Sequence, residues 1–349
     1  MSYLQNAWYV AALSQELMPG ALMSRTLLGQ PVVLFRSEDG TPSALFDRCP
    51  HRFAPLSMGK VLGSNLQCPY HGLTFGHDGS CVHNPYGPAP KAAKARSFPA
   101  IERHRAIWVW MGEQAVADPD LVPDLSFLGN SPETAFSAGY MHTRAGYEIL
   151  IDNIMDLTHT EYLHADSLAG NGVVHKVRPV TREVDGKIEV SWFSPDDALP
   201  PFHREILVQE RADLLTRVTW EAPSTMTLVA AAIPSGKTES EGYLHLNAHM
   251  VTPESENTSH YFFAATRNYR LDDAKLNEFV AQARERIFRN EDKPVVEMVQ
   301  VRMGEADFWD LRPLLLGADE AAVRVRRYLQ KLIQAEEGRI NQLKHHGTG

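Results

Sequence analysis

The chain has 349 residues, long for one domain, so two domains are the default expectation. Its hydrophobic fraction of 44% supports a full globular core, and its net charge of −9, from 43 acidic against 34 basic residues, argues against nucleic acid as the main partner. Three cysteines, an odd number, exclude a disulfide scaffold and favour a reducing compartment such as the cytoplasm. The N-terminus, Met1–Asn6, has no basic region followed by an apolar stretch, and no run approaches about 18 apolar residues. Neither a secretory signal nor a membrane span is expected.

The first third reads as short strands. Gln30–Arg36 and Pro42–Phe46 are β-rich runs separated by the turn Glu38-Asp39-Gly40. Two loops follow, Cys49-Pro50-His51-Arg52 and Cys68-Pro69-Tyr70-His71-Gly72, with sixteen residues between His51 and Cys68. Each offers one thiolate and one imidazole, a set that suits either a zinc ion or a two-iron, two-sulfide cluster. The interleaved order Cys-His…Cys-His lets each loop give one ligand to each iron. Pro50, Pro69 and Gly72 favour loops over a zinc-finger helix. Cys81 reads as a small buried side chain and Arg52 as a surface cation. Leu73–Phe75 and Ala106–Met111 complete a small antiparallel β domain. Pro119, Pro123 and Pro132 mark a linker, so the domains are expected at 1–115 and 116–349.

The second constellation lies in Tyr147–His164, whose composition predicts a helix buried nearly all round. Asp152, Asp156 and His159 stand at helical spacing on one face. Buried carboxylates and a histidine need partners or a metal. His164 is rotated about 140° from His159 on an ideal helix, so both reach one metal only if the helix ends or distorts between them. A mononuclear iron takes two histidines and one carboxylate, with open positions for dioxygen. A helix over Asp273–Glu305 contains Glu291 and Asp292. Between them, runs at Ile188–Phe193, Leu214–Trp220, Met226–Ile233, Tyr243–Val251 and His260–Ala265 predict a large antiparallel sheet, and a last helix is expected over Asp319–Ile340. Leu228, Ala230, Leu246, Ala248 and Phe262, or neighbours of opposite parity, are candidates to line a pocket.

From Asn6-Ala7-Trp8-Tyr9-Val10-Ala11 to Glu320–Arg324, with both Cys-His loops, the chain resembles the oxygenase components of Rieske non-haem iron oxygenases, and most of all the vanillate and dicamba O-demethylase group. The resemblance implies an α+β chain: a small antiparallel Rieske domain and a larger helix-flanked antiparallel sheet of helix-grip type. It implies a [2Fe–2S] cluster on Cys49, His51, Cys68 and His71, and ferrous iron on His159, His164 and Asp292, with Glu291 as the neighbour to consider for the carboxylate. It implies that Asp156 bridges His71 of one subunit and His159 of the next in a head-to-tail homotrimer. Asn153 lies beside this set. His249 resembles a position that contacts a substrate carboxylate, while Leu228 and Ala283 stand where the dicamba pattern has an amide and a tryptophan.

The activity so implied is demethylation of an aromatic methyl ether of a small aromatic acid, such as a methoxybenzoate, to a phenol and formaldehyde. Dioxygen is the co-substrate, and a separate reductase, with or without a ferredoxin, passes electrons from NAD(P)H. Hydroxylation of a ring or ring methyl and N-demethylation use the same iron chemistry and stay open. A Rieske electron carrier needs only about the first 115 residues.

Overall fold

The structure is a computed structural model and describes residues 3–165, 167, 176–199, 201–204, 207 and 209–346. It divides into two compact units. The first comprises Met1–Asp124, Thr252–Ser255 and Glu336–Gly349; the second comprises Leu125–Val251 and Glu256–Ala335.

The first unit holds eleven strands: β1 (Trp8–Leu13), β2 (Leu22–Leu27), β3 (Gln30–Arg36), β4 (Pro42–Phe46), β5 (Lys60–Leu62), β6 (Asn65–Gln67), β7 (Thr74–Phe75), β8 (Cys81–His83), β9 (Ser97–Phe98), β10 (Ala100–Arg103) and β11 (Ala106–Trp110). They form antiparallel sheets in the orders β1-β11-β10, β2-β3-β4-β9 and β5-β6-β7-β8. Strand β3 is buried on both faces, which its unbroken apolar run requires. Val32 and Leu34 join a core with Tyr9, Ile107 and Val109, while Val33 and Phe35 join Leu45, Leu56, Leu66 and Phe75. Cys49 and Cys68 belong to this second core, so the packing that stabilises the unit also seats both thiols. Each such buried apolar side chain contributes on the order of 2 kcal/mol.

The second unit is a seven-stranded antiparallel sheet: β12 (Ser137–Thr143), β13 (Val180–Val184), β14 (Lys187–Ala198), β15 (Arg211–Glu221), β16 (Thr225–Ile233), β17 (Tyr243–Ser255, whose end from Thr252 belongs to the first unit) and β18 (Thr258–Arg267), in the order β12-β18-β17-β16-β15-β14-β13. The five predicted strands are present, each longer than its apolar run, and β12 and β13 are additional. Among the described residues, four helices of nine residues or more accompany the sheet: α1 (Tyr147–Met155), α2 (Ala274–Ile287), α3 (Lys293–Met303) and α4 (Glu320–His346, whose end from Glu336 belongs to the first unit). The proline-marked stretch is more than a spacer, since Val122, Leu125 and Leu128 are buried along it.

Both predicted site helices are interrupted. The helix expected over Tyr147–His164 stops at Met155: Asp156 is extended, its carboxylate caps the next turn through Thr158 N–H at 2.8 Å, and single turns follow at Leu157–His159 and Thr160–Leu163. The expected shared face of Asp152, Asp156 and His159 is therefore broken. Asp152 turns instead to Arg326 of α4, which also pairs with Glu148, at 2.6 and 2.8 Å. The helix expected over Asp273–Glu305 contains a π turn, Phe288–Asp292, between α2 and α3. Pro294 lacks an N–H and crowds the preceding turn, and the wider π turn relieves it.

Candidate functional site

The two Cys-His loops share one hydrogen-bond pattern. Cys49 N–H donates to the Ala54 carbonyl at 2.8 Å and the Cys49 carbonyl accepts from Phe53 N–H at 3.0 Å. In the second loop Cys68 N–H donates to Leu73 at 2.8 Å and its carbonyl accepts from Gly72 N–H at 3.2 Å. The fourth residue after each cysteine has left-handed backbone: Gly72 at φ 74° and Phe53 at φ 61°. Glycine tolerates this freely; phenylalanine is held there by the loop. Both cysteines are 2% exposed, and the His51 and His71 rings lie 4.6 Å apart at 64°. Burial, with the Cys68 thiol alongside, pushes the Cys49 thiol up. Two buried sulfurs beside two imidazoles fit a two-iron cluster with thiolates on one iron and imidazoles on the other. Cys81 packs against this core with its Sγ 3.3 Å from the His83 carbonyl, while Arg52 is exposed.

In the second unit the donor atoms of His159, His164 and Asp292 lie within 4.8 Å of one another. The break at Asp156 allows this, because His159 and His164 flank one turn, rings 5.2 Å apart. His159 Nδ1 donates to the Asp156 main-chain carbonyl at 2.7 Å, and His164 Nδ1 donates to Glu291 Oε2 at 2.7 Å. Ser167 Oγ donates to the same Glu291 oxygen at 2.8 Å. With both Nδ1 atoms carrying protons, both Nε2 atoms present lone pairs. They face Asp292 Oδ1 at 3.5 and 3.1 Å. Burial raises the Asp292 carboxyl, but protonated imidazoles donating to it prevail and hold it down to about 2; as neutral metal ligands the same imidazoles turn lone pairs toward it. Three lone-pair donors converge, a repulsive arrangement that a metal cation relieves, and one carboxylate with two imidazoles suits ferrous iron.

The adjacent residues take distinct places. Asn153 Nδ2 donates to Asp292 Oδ1 at 3.3 Å. Glu291 grips the far nitrogen of His164, a contact invisible in the sequence beyond its adjacency to Asp292. The Asp156 contact to His159 runs through its main-chain carbonyl, while one carboxylate oxygen accepts from Thr158 N–H.

A cavity of about 230 Å³ opens on this cluster. An apolar cavity of about 150 Å³ accepts benzene, so this one holds a substituted single ring. Leu228 and Ala230 of β16 line it, as expected. On β17 the lining side chains are His245, Asn247 and His249 rather than Leu246 and Ala248. The register explains the parity, because Leu228 pairs with Asn247 and cross-strand partners share a face. Phe262 is buried away from the lining residues. Ala283 is buried without lining the cavity; the next residue on α2, Arg284, lines it instead. His249 is 2% exposed, with Nδ1 2.7 Å from the Tyr261 hydroxyl and Nε2 without a partner among the described residues. Burial, then the Arg284 charge, pushes the His249 imidazole down to about 3, so it is neutral near pH 7.

The Rieske [2Fe–2S] domain model matches residues 7–99, and the vanillate O-demethylase oxygenase C-terminal domain model matches residues 143–335. The chain is 40% identical to the oxygenase component of a chloroacetanilide N-alkylformylase from Rhizorhabdus wittichii, over 96% of this chain and 97% of that protein. It is 38% identical to the dicamba O-demethylase oxygenase component of Stenotrophomonas maltophilia, over 96% and 99%. The crystal structure of dicamba monooxygenase bound to 3,6-dichlorosalicylic acid superposes with a TM-score of 0.91, at 36% identity, over 97% of this chain and 99% of that one. The chain therefore belongs to the vanillate O-demethylase family of Rieske non-haem iron oxygenases. It is an oxygenase component that uses a [2Fe–2S] cluster and a mononuclear iron, with dioxygen as co-substrate and a separate reductase as partner. Among the described residues no helix is long and apolar enough to cross a membrane.

Two outcomes follow from this geometry. Replacing Glu291 by Ala frees the far nitrogen of His164; mononuclear iron retention should fall about 10- to 100-fold while the cluster spectrum is kept, read by iron analysis against visible absorbance. The second concerns pH. His245 and His249 are held neutral by burial, His249 down to about 3, against about 6.5 in the unfolded chain. Below 6.5 the unfolded chain binds more protons, so the stability they contribute is present above 6.5 and lost as pH falls toward 3. Each contributes a slope of roughly 1.4 kcal/mol per pH unit. Urea midpoints at pH 7 and pH 5 should drop more in the wild type than in His249→Gln.

Proposed function

We propose that this chain O-demethylates an aromatic methyl ether of a small aromatic acid, such as a methoxybenzoate, giving a phenol and formaldehyde. The observation that carries the reading is the single-ring cavity opening directly on His159, His164 and Asp292, with His249 in its wall. Dicamba, the name borne by a relative that shares nearly the whole chain, points the same way. In this reading His159, His164 and Asp292 hold the iron, and Cys49, His51, Cys68 and His71 hold the cluster. When bound, the iron supplies dioxygen activation and the cluster supplies single electrons drawn from NAD(P)H through the reductase.

The protein's own groups position and exclude. Leu214, Leu228, Ala230 and Trp192 keep the ring in a largely apolar space and limit water at the site. Tyr261 is buried and keeps its proton, so its hydroxyl donates to His249 Nδ1 and leaves His249 Nε2–H as a donor toward a substrate oxygen. Asn153 steadies the Asp292 oxygen that faces both imidazoles. Asp156 fixes the His159 tautomer through its carbonyl. Its second carboxylate oxygen, free among the described residues, accepts from His71 of a neighbouring copy in a head-to-tail trimer.

A second reading has its own support. The N-alkylformylase relative shares 40% of residues, and Leu228 replaces an amide of the dicamba pattern with an apolar surface, which suits an N-alkyl anilide. Formaldehyde release separates the two. With a reductase, NADH and a panel of methoxybenzoates, one substrate should give formaldehyde and phenol in equal amounts. Ring diols, hydroxymethyl products, or turnover of N-alkyl anilides alone would overturn the O-demethylase reading. In Asp156→Ala both metals should stay bound while turnover falls by at least about 100-fold; iron loss would remove the bridging role.

A further inference from the structure

Arg284 is the only lysine or arginine among the described residues that line the cavity. One of its N–H groups donates to Ser137 Oγ of β12. No carboxylate among the described residues pairs with it, and its electrostatic neighbours are Tyr261 and a second cation, Arg267. Burial pushes it down to about 10, which still leaves it charged near pH 7. A desolvated cation without a counter-ion is costly, and proteins ordinarily pair one. The two most buried arginines of this unit have several partners each: Arg326 pairs with Asp152 and Glu148, and Arg267 donates to the Tyr269 and Arg270 carbonyls and to Asn277. Arg284 instead has one side-chain partner among the described residues, the Ser137 hydroxyl, and lines the cavity.

We infer that Arg284 is the specificity-determining residue for an anionic substrate: its guanidinium, steadied by Ser137, pairs with the carboxylate or sulfonate of the ring that the cavity holds. The planar fork matches either oxyanion bidentately. His249 Nε2, also unpartnered among the described residues, lies on the same wall and donates to a substrate oxygen beside it. The inference rests on the reading of this cavity as the substrate site, and it selects an aromatic acid over a neutral anilide. Arg284 carries no signal in the sequence, because it sits in a charged run, Arg284-Glu285-Arg286, that reads as a solvated helix face.

The test is binding without turnover. The iron-loaded holoprotein, kept free of dioxygen and reductase, is titrated in a calorimeter with 2-, 3- and 4-methoxybenzoate, benzenesulfonate and the matching methoxybenzamides. The wild type should prefer acid to amide by at least about 10-fold. Arg284→Met should weaken the best acid by about 100-fold, the scale of truncating one partner of a desolvated pair, while amide affinity moves less than about 3-fold. Arg284→Lys should recover part of the loss. Ser137→Ala, which leaves the buried cation in place, should weaken the acid alone by about 5-fold and reads the same contrast if Arg284→Met does not fold. Equal weakening of acid and amide, unchanged acid affinity in Arg284→Met, or no binding of any acid in the panel overturns the inference. Acid binding through Arg284 without formaldehyde from any methoxybenzoate would remove the proposed reaction and leave this inference standing. Formaldehyde release with unchanged acid selectivity in Arg284→Met would do the reverse.

Discussion

Three lone pairs aimed at one point repel each other, and much of the second unit is arranged to hold them there. His159 Nε2, His164 Nε2 and Asp292 Oδ1 converge only because two helices are irregular. Asp156 leaves helical geometry, which ends α1 and places both histidines on one following turn. The π turn at Phe288–Asp292 brings consecutive residues, Glu291 and Asp292, to opposite nitrogens of the same imidazole, at 2.7 and 3.1 Å. A regular helix would separate those two side chains by about 100°. Neither irregularity is favourable alone, so the surroundings must impose it. Arg326 does this on one side: almost fully buried, it grips Asp152 and Glu148 in the last two turns before the break. Removing one partner from such a buried set costs roughly 3–5 kcal/mol, enough to hold a helix end in place.

The cluster end is governed by a different constraint. Its loops use the same two hydrogen bonds around each cysteine, yet histidine stands two residues after Cys49 and three after Cys68. The extra residue, Tyr70, lies over His71 with ring centroids 3.9 Å apart. The sulfurs face an apolar core of Leu56, Leu66 and Phe75, whereas His51 is exposed. Neutral nitrogen ligands raise the potential of such a cluster, and the exposed imidazole edge is the side from which electrons can pass. The apolar sulfur side gives rigidity; the imidazole side gives access.

How much of this was legible follows from the range of each signal. Cys49, His51, Cys68 and His71 declare themselves by local spacing, and the strand runs declare themselves by period. His159 and His164 are legible as a pair with a condition, a helix that ends or distorts between them, whereas the helix ends before both, at Met155. Where that distortion falls was not legible, because a single extended residue, Asp156, leaves no compositional trace. Register was the larger loss. Leu228 and Ala248 looked equally able to face the iron, but Leu228 pairs with Asn247, so Ala248 lies on the opposite face and His249 faces in. A one-residue slip exchanges every side chain on a strand between faces, and the turn between Ile233 and Tyr243 helps to set it. Ala283 and Arg284 differ in the same way on a helix: one position apart, one faces the core and the other the cavity.

That register also bears on what the cavity recognises. Leu228 removes an amide from the position where the dicamba pattern has one. Its cross-strand partner, Asn247, carries an amide on the same face, also lines the cavity, and donates from Nδ2 to the Leu228 carbonyl at 3.3 Å. Its Oδ1 is thereby left as an acceptor. That oxygen can accept from a donor such as a phenol hydroxyl, while the second Nδ2–H stays a donor. Arg284 and His249 supply the opposite character, a cation and an N–H. The wall therefore offers an acceptor at Asn247 as well as donors at Arg284 and His249. With the role proposed for Arg284, a ring bearing an acid at one position and a hydroxyl at another satisfies both, whereas a neutral anilide leaves the guanidinium unpaired. Specificity here lies as much in what the cavity makes costly as in what it attracts.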